Sequence, residues 1–156
     1  MGMTIEFYSA NPQELIEIFS SEEDEELFFK TLETYPNADF SLHLLLPDDM
    51  DTLLRILQKR RPLLPSHFRD LLVQQLWSDD PDTPSESLTL LDGMFPRVLV
   101  SLSKEEIEGV AHDWVATFPS PSDSAFTNVY QALLALKAAA QDAVAHKKSL
   151  ILRLVG

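Results

Sequence analysis

The sequence of 156 residues predicts a single α+β domain over residues 1–156, with a small mixed or antiparallel sheet of three to four strands packed by five or six helices. Three observations predict it. Apolar residues alternate with polar ones near both ends, over residues 3–8 and 149–155, and again over 97–102, as strands require. Segments 48–61, 103–118 and 125–146 carry helical stripes of apolar residues, the first two with start signals. Helices also outnumber strands too heavily for a regular βαβ alternation.

Taken in order, residues 3–8 place Ile5 and Phe7 on one face and Thr4, Glu6 and Tyr8 on the other. Asn11-Pro12-Gln13-Glu14 opens a helix: asparagine caps, proline is tolerated at the first position, and glutamate reaches back. Leu15, Ile16, Ile18 and Phe19 form its apolar side. The acidic run 20–26 starts a second helix through Leu27, Phe28, Leu32 and Tyr35, with its acids at the positive end of the dipole. Within residues 37–46, Phe40, Leu42, Leu44 and Leu46 alternate with Ser41 and His43 and favour a strand; a short helix capped by Asn37 is the alternative over 38–46.

Residues 48–61 form a helix with Met50, Leu53, Leu54 and Leu57 inward, acids at its start, Lys59, Arg60 and Arg61 at its end, and Pro62 closing it. Ser66 caps a further helix carrying Phe68, Leu71, Leu72 and Leu76, with Trp77 at its end. Pro81, Thr83 and Pro84 make residues 78–87 an exposed loop. The next stretch organises the rest. Asp92-Gly93 turns the chain, glycine supplying positive φ. A strand follows in which Val98, Val100 and Leu102 alternate with Arg97, Leu99 and Ser101. Ser103 and Glu106 then form a capping box for a helix with Ile107, Val110, Ala111, Trp114 and Phe118 on one face.

After the break at 119–123 comes the longest helix, with Phe126, Val129, Tyr130, Leu133, Leu136 or Lys137, Ala140 and Val144 along its stripe. Ala138, Ala139 and Ala140 invite close approach of another element. In the last strand Leu150, Leu152 and Leu154 face one way and Ile151, Arg153 and Val155 the other. So apolar a strand needs a partner, which puts it inside the sheet or across a homodimer.

The net charge is −13, from 25 acids against 12 basic residues. Such a chain repels phosphate backbones and anionic bilayers, so the expected partner is a protein, basic by preference, rather than nucleic acid or membrane. No apolar run approaches the ~18 residues of a membrane span and no secretory pattern opens the sequence, so a cytoplasmic home is expected. Without cysteine there is no disulfide, thiolate metal site or thiol nucleophile.

Chemistry-bearing patterns are sparse. His43, His67, His112 and His146 lack metal-ligand spacing with one another. His112 and Asp113 diverge by ~100° on a helix and form no dyad. Asp79, Asp80 and Asp82 make an acidic loop without the mid-loop glycine and regular oxygens of a calcium site. Four glycines cannot build a phosphate cradle. No cofactor, metal site or catalytic residue is therefore expected. Trp77, at the margin of a helix, is a candidate interface anchor. With His43 and the Asp79, Asp80 and Asp82 loop it makes up the candidate interaction or polar site.

Several fragments resemble the YfbM-like family of uncharacterised bacterial proteins. They are Met1-Gly2-Met3 before a strand and an early helix; Leu42-His43-Leu44-Leu45-Leu46, similar to its Leu-His-x-Leu-Leu segment; and Pro96-Arg97-Val98-Leu99 followed by Ser103-Lys104-Glu105-Glu106, similar to its Pro-x-Arg-Tyr-Leu-Thr-Pro-Glu-Glu-Val pattern with extra residues between. The final helix and strand match in placement. The sequence departs in having Asp39 where that family carries tryptophan, and an Asp/Pro/Ser loop in place of its Gly-rich middle. The resemblance implies an α+β fold, a helix over 38–46 and an immunity or accessory role, and carries over no catalytic residue. The leading expectation is an immunity-like or regulatory protein-binding module without catalysis. The alternatives are a small hydrolase-like enzyme using carboxylates and a histidine such as His43, and a homo-oligomeric structural protein.

Overall fold

The computed structural model describes residues 3–21, 24–41 and 48–156. Its sheet has strands β1 (Thr4–Ala10), β2 (Asn37–Asp39), β3 (Leu72–Ser78), β4 (Glu86–Leu91) and β5 (Ser149–Val155), in the order β2-β1-β5-β4-β3 with every pairing antiparallel. The apolar last strand lies at the centre, paired with β1 from Ser149 to Val155 and with β4 on its other side. Two hydrogen-bonding neighbours remove the exposed edge that such a strand would otherwise present.

Among the described residues six α-helices cover the sheet: α1 (Pro12–Ser20), α2 (Glu25–Leu32), α3 (Asp48–Gln58), α4 (Met94–Ser101), α5 (Lys104–Val115) and α6 (Ala125–Ala145). Strand alternation divides them between two cores. On one face Ile5, Phe7, Leu150 and Leu152 pack with α3, α4, α5 and α6. On the other, Tyr8, Leu88 and Ile151 pack with Leu15 and Phe19 of α1 and Leu32 of α2. The result is one α+β domain of three layers. Helix α6 lies against β1, β2 and β5 as well as α4 and α5. Its buried Ala139, Ala140 and Ala143 permit that approach, since a larger side chain would hold the layers apart. Trp114 is fully buried, with its indole N–H donating to the Asp49 carbonyl at 3.2 Å. No helix of the described residues is long and apolar enough to cross a membrane.

Several local expectations are corrected. The sheet has five strands rather than three to four. Residues 97–102, predicted as a strand, belong mainly to α4. The Asp92 carboxylate accepts from the Met94 N–H at 2.9 Å and starts that helix, and Pro96 is tolerated in its first turn. Phe95 and Leu99, four apart, are buried with Leu102, so helical spacing outweighs the alternation of valines. Gly93 has φ −61° and needs no glycine freedom.

The helix predicted after Ser66 is instead a 3₁₀ turn at Phe68–Leu71 running into β3. The Asp51 carboxylate takes the Phe68 N–H at 2.6 Å, and the Leu71 carbonyl accepts from Asp92 N–H at 2.8 Å, drawing the segment into pairing with β4. Two register irregularities in β3 hide its period from the sequence. Of residues 37–41 Asn37–Asp39 form a strand, and the rest of the 37–46 segment lies outside the described residues. On α6, Leu136 and Ala143 are buried whereas Val144 is exposed.

The capping box at the start of α5 is present, Ser103 Oγ accepting from Glu106 N–H at 3.1 Å while the Glu106 carboxylate accepts from Ser103 N–H at 3.1 Å. Glu106 also holds Arg61 through two bonds of 3.0 Å, and Arg61 reaches the Ser101 carbonyl at 2.9 Å. The basic end of α3 is thereby tied to the α4–α5 corner. Ser103→Ala should cost about 1 kcal/mol in urea unfolding without changing the slope of the transition.

Candidate functional site

The residues singled out in the sequence have separate fates. His43 lies outside the described residues. Trp77 stands in β3, half-buried, with its ring centroid 5.2 Å from that of Phe19. Asp79, Asp80 and Asp82 occupy the exposed β3–β4 turn. Asp79 accepts from the Ser85 hydroxyl and from the N–H groups of Ser85 at 2.9 Å and Glu86 at 3.0 Å. Asp80 accepts from Asp82 N–H at 2.9 Å and Thr83 N–H at 3.3 Å. The Ser85 hydroxyl bond lowers the Asp79 pKa and the Asp82 N–H bond lowers that of Asp80, so both carboxylates stay charged and engaged in shaping the turn. Trp77 and the acids share the β3–β4 hairpin, and none of them lines either of the two concavities described below.

The strongest buried polar assembly is one the sequence does not announce. Arg153, only 9% exposed in β5, lies opposite Glu6 of β1 and near Glu86 of β4. Its Nη1 donates to Glu6 Oε1, while Nε and Nη2 reach Glu86 Oε2 at 2.8 and 2.6 Å. The Phe19 ring lies 5.6 Å from the guanidinium carbon, within cation–π range. The Tyr8 hydroxyl donates to Glu6 Oε2 at 3.1 Å, and burial pushes its pKa up, so it serves as a hydrogen-bond donor rather than a base. One guanidinium is shared by two carboxylates and every one of its bonds runs between strands, which suits cross-linking of three strands more than catalysis. Glu6 and Arg153 are 147 positions apart, which conceals the pair from local sequence patterns.

A cleft of about 380 Å³ opens between α1 and α2, lined by Glu14, Glu17, Ile18, Leu27, Thr31 and Tyr35 among others. Its two helices are built by start signals: Asn11 Oδ1 accepts from Gln13 N–H at 2.9 Å, and Asp24 Oδ1 accepts from Glu26 N–H at 3.3 Å. The Tyr35 hydroxyl donates to Glu14 at 3.2 Å across the cleft. Burial, with the bond to Glu14, raises the Tyr35 pKa and keeps the phenol protonated. Leu27 is 50% exposed and Phe29 44%, although Phe19 and Phe28 pack edge to face nearby, with centroids 5.0 Å apart. The sequence held a signal for this surface: three consecutive apolar residues, Leu27-Phe28-Phe29, cannot all face inward from one helix.

Asp142 of α6 joins several elements. Its carboxylate accepts from the buried Ser9 hydroxyl at 2.7 Å and lies 2.9 Å from His146 Nδ1 and 3.6 Å from Lys148 Nζ. The Ser9 bond leads in holding its pKa below the ordinary aspartate value. His112 stacks on Phe126 at 4.0 Å while Asp113 lies 3.7 Å from Arg60, so these neighbours diverge. Among the described residues no group of three His, Cys, Asp or Glu side chains converges as metal ligands would.

Replacing Arg153 by Met leaves two carboxylates facing each other across β5, and should lower stability by about 2–4 kcal/mol in urea unfolding. The triple change R153M/E6Q/E86Q should recover much of that loss. For Asp142, a folded pKa below the unfolded one means that its contribution is complete above about pH 4 and drains away as the pH falls. Asp142→Asn should therefore unfold more easily at pH 7, and the gap from the parent should close toward pH 2 in a pH series of urea curves.

Compared with protein-family models, curated proteins and solved structures, the chain matches none of them.

Proposed function

We propose that this protein is a binding module, without catalysis of its own, that engages a basic and partly apolar segment of another protein through the cleft between α1 and α2. One observation carries the reading: exposed apolar Leu27 and Phe29 stand on the same pair of helices as the carboxylates of Glu14 and Glu17. Exposed Glu25 and Glu33 add negative charge along and just beyond α2, while Glu26 is paired with Lys30 at 3.2 Å. Exposed apolar side chains among an excess of acids, with Lys30 the one cation of α2, suit a partner that brings apolar anchors and basic groups together. The net charge of −13 gives long-range attraction in the same sense. An immunity-like or regulatory role fits such a surface, because that work consists of covering a partner rather than transforming a substrate.

The test places a photo-crosslinking amino acid at Leu27 in the full-length chain, with a control at Glu105 on α5, in extracts of the host cell. A single basic protein should be captured at Leu27 alone. Its capture should fall by at least about tenfold in the E14Q/E17Q variant, and should weaken as salt rises. Equal labelling at both positions, or capture indifferent to both carboxylates, would refute the reading.

A further inference from the structure

We infer that a groove at the opposite charge extreme of the molecule binds a small amphipathic anion, a carboxylate or phosphate monoester carrying an apolar tail. The groove has a volume of about 550 Å³ and is lined by Val73 of β3, Leu90 of β4, Arg97 of α4, Val144 of α6, and Lys147 and Lys148 of the α6–β5 turn, among others. That volume is in the range of small-molecule sites.

The charge distribution argues for an anion. In a chain where acids outnumber basic residues 25 to 12, three cations line one groove against a single acid, Asp92. Asp92 is turned to the start of α4, where its carboxylate accepts the Met94 N–H at 2.9 Å. Lys148 has a loose ion pair, 3.6 Å to Asp142. Arg97 and Lys147 have no ion pair among the described residues. The floor is open above Gly93, where an added Cβ would meet nothing within 4 Å.

The walls argue for an apolar tail. Val73 is 57% exposed and Val144 44%, both on the lip of the groove, and Leu90 and Pro96 continue the apolar surface inward. Addition of a peptide strand to the free edge of β3 is the weaker alternative. The register shifts between Leu72 and Gln74 and between Gln75 and Trp77 break the regular hydrogen-bonding edge that an added strand needs.

Lys147 permits a clean test. It is the one non-glycine residue of positive φ among the described residues, at 54°, and follows the end of α6 where glycine is the easy choice. The Lys148 N–H closes the turn onto the Ala143 carbonyl at 2.8 Å. Lys147→Gly therefore removes a cation from the groove while relieving the backbone, which separates binding from folding.

The experiment titrates the isotopically labelled full chain with octanoate and, separately, with inorganic phosphate at constant ionic strength, following backbone amides by NMR. Octanoate should give saturable shifts centred on Val73, Gly93, Val144 and Lys147, and phosphate should bind more weakly. K147G and R97Q should each weaken octanoate binding about tenfold, K147G while unfolding at higher urea than the parent, and E14Q should leave the affinity unchanged. The inference is overturned if octanoate gives no saturation at these amides, if phosphate binds as tightly, or if both variants bind octanoate like the parent.

Discussion

The register of β5 against its two neighbours is the constraint on which the rest of the structure depends, and Arg153 sets it. Side chains along a strand alternate between faces, so a slip of one residue would exchange the whole set. Arg153 would then enter the layer formed by Phe7, Leu152 and the surrounding helices, with no carboxylate to meet it. In the observed register Glu6 and Glu86 come from the two flanking strands to one guanidinium. Such a pair contributes less net stability than its geometry suggests, because three charged groups leave water together. Its value lies in penalising the wrong alignment. The apolar partners of β5 then fall into place: Leu150 and Leu152 toward α3–α6, Ile151 toward α1 and α2.

With that alignment made, the two layers of helices take on different surfaces. The pair α1 and α2 covers one face thinly and leaves Leu27 and Phe29 in solvent between acidic residues. Helix α4 begins and helix α6 ends near β3 and β4, where Arg97, Lys147 and Lys148 gather around the second concavity. The two share no lining residue. Charge is therefore segregated on a molecule whose total would suggest a uniformly acidic exterior, and the total alone is a poor guide to what each surface attracts.

Much of the fold was legible because many elements carry their own boundaries. Asn11-Pro12, the Asp-rich start of α3, and the reciprocal Ser103 and Glu106 pair are local devices, and each holds where the sequence places it. The apolar character of β5 left two places for it, inside the sheet or across a homodimer, and it lies inside. What misled was periodicity without a cap. Val98 and Val100 alternate as in a strand, yet Asp92 begins a helix and buried Phe95 and Leu99 sustain it. Phe68, Leu71, Leu72 and Leu76 repeat as in a helix, yet the chain is held extended by a carbonyl partner twenty-one residues away, from Leu71 to Asp92. The candidate surfaces were harder still. Arg153 with Glu6 and Glu86, and Arg97 with Lys147, are assembled from distant segments, and no spacing rule reaches across that separation.

The central place of β5 has a consequence for how the chain is made. Every other described element precedes it in the sequence, and β1 and β4 hydrogen-bond to it rather than to each other. As the polypeptide leaves the ribosome, the hairpin of β3 and β4 and the pair of β1 and β2 can form early, each with the edge that will meet β5 still open. The halves unite only when Ser149–Val155 enters between them, closing the long loop back to β1 after the other described strands have been made. Until then the margins of β1 and β4 that β5 will cover lie bare, the kind of unpaired strand edge that invites association with other chains.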